Sequence, residues 1–108
     1  MGKDSNQQKL VRKLEALGAS TRLEILQLLQ NGALCVGAIA KRLAISQSAV
    51  SQHLRILKDA GLVTPERRSY FIHYRVRQEA FTDIMIFVKA FVSVNQAKCR
   101  SSECETSG

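Results

Sequence analysis

Apolar residues first recur at helical spacing at Leu10, Leu14 and Leu17, which predicts an amphipathic helix over residues 6–17, ended by Gly18. Thr21-Arg22-Leu23-Glu24 has capping-box spacing, in which hydroxyl and carboxylate each satisfy a free backbone N–H. A second helix follows through Gln30, with Ile25, Leu26, Leu28 and Leu29 inward, and Asn31-Gly32 stops it. Val36, Ile39, Ala40 and Leu43 mark a short third helix from about Cys35 to Leu43. Ser46 is a good N-cap for a fourth, Gln47 to Ala60, and Gly61 closes it.

Beyond Gly61 the helical period gives way to alternation. Leu62-Val63-Thr64 reads as a strand, Pro65 to Ser69 as a loop and Tyr70 to Arg77 as a second strand. In that second strand Tyr70, Ile72, Tyr74 and Val76 share one face and Phe71, His73, Arg75 and Arg77 the other. A last helix is expected from about Gln78 to Ala97, with Phe81, Ile84, Met85, Val88, Phe91 and Val92 as its stripe. Ile86 and Phe87 widen that stripe beyond what one core face needs. The pattern predicts a mainly α chain of five helices with one small β-hairpin. Two helices joined across Leu43 to Ser46, then helix, glycine and hairpin, are the parts of a winged helix-turn-helix.

A chain of 108 residues is one domain, and residues 1–97 are read as that domain, with 98–108 a loose cysteine-containing tail. A core this small gains from a partner subunit, and the over-wide last helix points the same way. The longest apolar run, Ile84 to Val88, is too short to span a bilayer, and Met1 to Lys9 has no signal-peptide pattern. A cytoplasmic protein with no membrane partner is expected.

Charge adds the partner. The net charge is +7, and residues 41–77 carry eight Lys or Arg against Asp59 and Glu66. Such clustering favours an anionic partner, nucleic acid above all. On the fourth helix Val50, Leu54 and Leu57 form the inward stripe, while Ser48, Ser51, Gln52 and Arg55 lie on another face. Short or forked hydrogen-bonding groups suit base edges and phosphates, and no acid stands among them. A merely solvated face would more often show Glu and Lys. Arg67 and Arg68, in the Pro65–Ser69 loop, are placed for phosphates or a minor groove. No acid pair, Ser/His/Asp set or phosphate-cradling glycine loop supports an enzyme.

The stretches Leu17-Gly18-Ala19-Ser20-Thr21-Arg22-Leu23-Glu24-Ile25-Leu26, Leu34-Cys35-Val36-Gly37, Ser46-Gln47-Ser48-Ala49-Val50-Ser51-Gln52-His53-Leu54 and Gly61-Leu62-Val63 resemble the ArsR-type metal- and metalloid-responsive repressors. The resemblance covers about residues 8–95. It implies a homodimer joined through the first and last helices, bound to an inverted-repeat operator of double-stranded DNA and released by an inducer. Gln47 and His53 of the fourth helix join Ser48, Ser51, Gln52, Arg55, Arg67 and Arg68 as candidate DNA-binding residues.

Sensing is carried over residue by residue. The family's Cys-Val-Cys at the third helix is incomplete, since Gly37 follows Cys35 and Val36. Asp83 has no histidine beside it on the last helix, so the Asp/His zinc site is poor. The thiols remain. Cys35 lies near a helix N-terminus, where free N–H groups favour negative charge, and Cys99 and Cys104 have basic neighbours. Together these three would make a trigonal sulfur set for arsenite, antimonite or another soft ion, with no organic cofactor. Two other readings stand beside this one. A thiol redox or persulfide switch is suggested by a likeness to the family's sulfur-sensing branch, although that branch carries a cysteine where this chain has Gln27. A winged-helix module for protein contacts or non-specific DNA packaging is the other.

Overall fold

In the computed structural model, residues 5–93 are described. The order is α1 (Asn6–Leu17), α2 (Ser20–Leu29), β1 (Leu34–Cys35), α3 (Val36–Leu43), α4 (Gln47–Asp59), β2 (Val63–Arg68), β3 (Phe71–Val76), a 3-10 turn (Gln78–Phe81) and α5 (Thr82–Val92). Among these residues five helices and a small sheet make a winged helix-turn-helix, as the sequence pattern predicts, and β1 adds a third strand to the expected hairpin. The sheet is antiparallel throughout, in the order β1-β3-β2.

One buried cluster unites the elements. Ile25 of α2, Ile39 of α3, Val50, Leu54 and Leu57 of α4, and Leu62 and Val63 at the start of the wing are fully buried. Leu34, Tyr74 and Val76 of the sheet and Phe81 and Ile84 beyond it pack against that cluster. The helix-turn-helix is therefore seated on apolar contacts, at roughly 1.5–3 kcal/mol per buried aliphatic side chain.

Several boundaries move. The Thr21–Glu24 capping box does not form: α2 starts at Ser20, its N-cap is Ala19, and no side chain caps it. The capping box lies at α1, where Ser5 Oγ accepts from Gln8 N at 3.1 Å and Gln8 Oε1 accepts from Ser5 N at 3.0 Å. Cys35 belongs to β1 and is the N-cap of α3 rather than its first turn. The Pro65–Ser69 loop is strand: β2 runs to Arg68, and Ser69 and Tyr70 alone form the hairpin turn. Pro65 is tolerated because β2 is an edge strand. The last helix opens as a 3-10 turn, and its expected end at Ala97 lies outside the described residues. The stripe on α5 also divides. Phe81 and Ile84 meet the core, whereas Met85, Val88, Phe91 and Val92 stay exposed with Ile86 and Phe87.

Candidate DNA-binding surface

The turn between α3 and α4 sets the angle of the second helix. Ala44 ends α3 in the left-handed region, at φ +57°, and Ile45 N reaches back to Ala40 O at 3.2 Å. Ser46 then starts α4: its Oγ accepts from Ala49 N at 3.1 Å and lies 3.2 Å from Ser48 Oγ. At the far end Gly61, at φ +82°, lets Leu62 N reach Leu57 O and Gly61 N reach Lys58 O, both at 2.9 Å. That pair of bonds is the Schellman closure, and the positive φ is why glycine stands there.

Between these caps α4 presents two faces. Val50, Leu54 and Leu57 are buried, and Gln47, Ser48, Ser51, Gln52 and Arg55 are exposed. Among the described residues Ser51, Gln52 and Arg55 make no side-chain hydrogen bond or ion pair. The structure therefore brings Ser51, Gln52 and Arg55 together as an uncommitted polar face, with Gln47 and Ser48 exposed beside them. His53 stands apart from them. It is half-buried, and its Nδ1 lies 3.2 Å from Arg22 Nη1 of α2.

The wing differs from expectation in its arginines. Arg67 and Arg68 lie on β2, not at a loop tip, and alternation sends them to opposite faces. Arg68 is paired with Glu66 at 3.1 Å, and Arg75 meets the same carboxylate. Arg75, and after it Arg68, holds the Glu66 carboxyl below its ordinary range. Arg67 has no such partner among the described residues. The tip itself is apolar: Tyr70 is 91% exposed at a turn whose Ser69 has φ +60°, and Phe71 and Ile72 beside it are also exposed. Alternation put Tyr70 in the strand; only the shortness of the turn reveals it as a tip.

The thiol set is only partly in view. Cys35 is half-buried and stands directly across from His73 of β3, whose Nδ1 is buried without a hydrogen-bond partner. Cys99 and Cys104 lie outside the described residues. Asp83 is engaged: Lys13 Nζ donates to its carboxylate at 3.0 Å and to Ala80 O at 2.8 Å, tying α1 to the start of α5.

A capped, apolar-seated helix with a free polar face, followed by a basic hairpin, defines a winged helix-turn-helix DNA-binding protein. A profile described as "Bacterial regulatory protein, arsR family" matches residues 19–64. The arsenical resistance operon repressor of Bacillus subtilis is 34% identical over 87 residues, 76% of this chain and 83% of that one. HlyU of Vibrio cholerae, named a transcriptional activator and solved in a form described as reduced, is 34% identical, with a TM-score of 0.63 over 83% of this chain and 94% of its own. A homodimeric winged helix-turn-helix domain from Mycobacterium bovis, described as a possible ArsR-family regulator, is 25% identical, with a TM-score of 0.65 over 92% and 100% of the two chains. The chain belongs to the ArsR family of transcriptional regulators. No helix among the described residues is long and apolar enough to cross a membrane.

Proposed function

We propose that this protein is a homodimeric repressor that binds an inverted-repeat DNA operator through α4 and the wing and leaves it when a thiophilic inducer binds. The single observation that carries the reading is the uncommitted face of Ser51, Gln52 and Arg55 on a helix whose opposite face is fully buried. Gln47 and Ser48 extend that face toward the helix start, and Arg67 supplies an unpaired charge on the wing. Arg68 acts as a shared partner of Glu66 and contributes less. The second copy is supported by α5, which buries none of its own residues. Met85, Ile86, Phe87, Val88, Phe91 and Val92 are all exposed there, and the homodimeric relative covers its own chain completely with this fold. Placed in the cytoplasm, the protein needs no membrane partner and no catalytic group.

For the inducer, the relative that represses an arsenical resistance operon supports arsenite or antimonite, held by Cys35 with Cys99 and Cys104. Three sulfur donors match a trigonal soft centre, whereas a structural zinc ion takes four ligands and this chain has almost no imidazole to add. A thiol redox switch is the second reading, favoured by the relative solved in a reduced form. One experiment separates them: operator release titrated in parallel against arsenite, antimonite, cadmium, zinc and an oxidant. Release by arsenite that Cys35→Ser, Cys99→Ser or Cys104→Ser blunts, with operator binding intact, supports the metalloid reading. Release by oxidant alone supports the redox switch, and no sequence preference in a gel shift defeats both.

A further inference from the structure

The Arg22 guanidinium sits where three helices meet. Its Nε donates to Ala16 O at 2.6 Å and its Nη2 to Glu15 O at 3.4 Å, closing the carbonyl end of α1. Its Nη1 lies 3.2 Å from His53 Nδ1 on α4. Arginine is a donor only, so Nδ1 must accept and the neutral ring must carry its proton on Nε2. An imidazolium carries protons on both nitrogens and has no lone pair to offer. Protonation would therefore replace a hydrogen bond by two cations whose nearest nitrogens lie 3.2 Å apart. Among the described residues no carboxylate hydrogen-bonds to either member of this pair. On α1, Lys9, Arg12 and Glu15 are exposed and Lys13 holds Asp83; on α2, Glu24 is exposed; on α3, Lys41 and Arg42 are exposed; on β2, Glu66 is held by Arg68 and Arg75.

We infer that His53 is a positioning residue rather than a DNA contact: with Arg22 it fixes the seat of α4 against α1 and α2, and its protonation unseats the reading helix. The inference rests on the operator-binding reading above, and it departs from the sequence expectation that His53 touches DNA. A His53 that touched phosphate would gain charge on acidification and tighten binding. A His53 that holds Arg22 would lose its bond and loosen it.

The test is anisotropy of the full chain on a duplex carrying the inverted repeat that the wild-type protein selects in vitro, from about pH 8 to about pH 5.5, the range in which histidine changes charge. His53→Gln is the comparison, because its amide oxygen accepts from Arg22 and does not titrate. The wild type should lose roughly three- to tenfold more affinity on acidification than the variant, the worth of one hydrogen bond. Equal profiles, or a wild type that tightens relative to His53→Gln, would overturn the inference. A second readout needs no DNA: the ¹⁵N shifts of the free protein should show His53 as the Nε2–H tautomer at neutral pH. The Nδ1–H tautomer would refute the tie. If no repeat is selected, the operator reading fails while the tautomer still decides the tie.

Discussion

Helices α4 and α5 each leave a face uncovered, and the two faces differ in kind. On α4 the uncovered groups are hydroxyls, amides and a guanidinium, over a buried stripe of Val50, Leu54 and Leu57. On α5 they are Met85, Ile86, Phe87, Val88, Phe91 and Val92, with Phe87 and Phe91 packed edge to face at 5.1 Å between centroids. A polar face can stay wet until a polar partner arrives, whereas a continuous apolar face has a standing cost in water. The difference is that water penalises the uncovered face of α5 and tolerates that of α4.

The largest effect should come from breaking α5. Phe91→Asp would place an unpaired charge in the apolar face, at a cost of several kcal/mol if that face is buried between subunits. Sedimentation should show the wild type as a dimer at about 10 µM and the variant as a monomer, with operator affinity falling as well. A wild-type monomer at that concentration would undo the contrast between the helices.

Next come the groups on α4. Gln52→Ala or Arg55→Ala should each cost about 1–3 kcal/mol on the preferred operator and relax the preference at one base pair. Dimer formation should be untouched, because neither side chain meets the core. Variants that lose affinity equally on all sequences would reassign these residues to the phosphate backbone.

Much of this contrast was legible in the sequence, and for a physical reason. Val50, Leu54 and Leu57 repeat at helical spacing within one continuous segment, and Ser46 and Gly61 mark its ends through local backbone chemistry. Such signals need no knowledge of the rest of the fold. The parts that escaped depend on distant chain. Strand β1 is two residues long and exists because Leu34 and Cys35 pair with Tyr74 and His73. Thr21 fits a cap by spacing, but α2 begins one residue earlier, and Arg22 there serves α1 and α4 instead. The Ser5–Gln8 box is the exception, a purely local pattern that Ser5 and Gln8 carry at capping-box spacing. For the site, helical spacing alone puts Ser48, Ser51, Gln52 and Arg55 on one exposed face of α4. It does not reveal that His53 turns toward Arg22 or how the wing pairs its arginines. Adjacent arginines look alike in a sequence, while strand pleating and Glu66 make Arg67 and Arg68 unlike.

The wing sharpens the comparison by asking how free a charge must be to count. Arg67→Ala should lower the salt dependence of operator binding by about one phosphate contact. Arg68→Ala should do less, since its guanidinium is already paired with Glu66. The pH dependence has a defined sign. The Glu66 carboxyl is held down by Arg75 and Arg68, so its pairing contributes above the ordinary carboxylate range and is lost as pH falls through the lowered value. Acid should then release Arg68, and the difference between the two alanine variants should narrow, whereas in Glu66→Gln it should be narrow at every pH. A gap that ignores both acid and Glu66→Gln would show that Glu66 does not govern Arg68.

The smallest expected effect lies at the turn that aims α4. Ala44 occupies the left-handed region, at φ +57° and ψ +43°, where its Cβ crowds the carbonyl that follows. Glycine has no Cβ and removes that cost of about 1–2 kcal/mol, but it also gives the unfolded chain more freedom to lose, roughly 0.5–1 kcal/mol. The difference favours Ala44→Gly by about 0 to 1.5 kcal/mol, a gain of at most several degrees in Tm for a chain of this length. Because Ile45 and Ser46 keep their own bonds to Ala40 and Ala49, the angle of α4 should hold and operator affinity should not change. A lower Tm would mean that Ala44 is not strained. A higher Tm with weakened operator binding would mean that the strain itself aims the reading helix, and α4 would then depend on its turn as much as on the core beneath it.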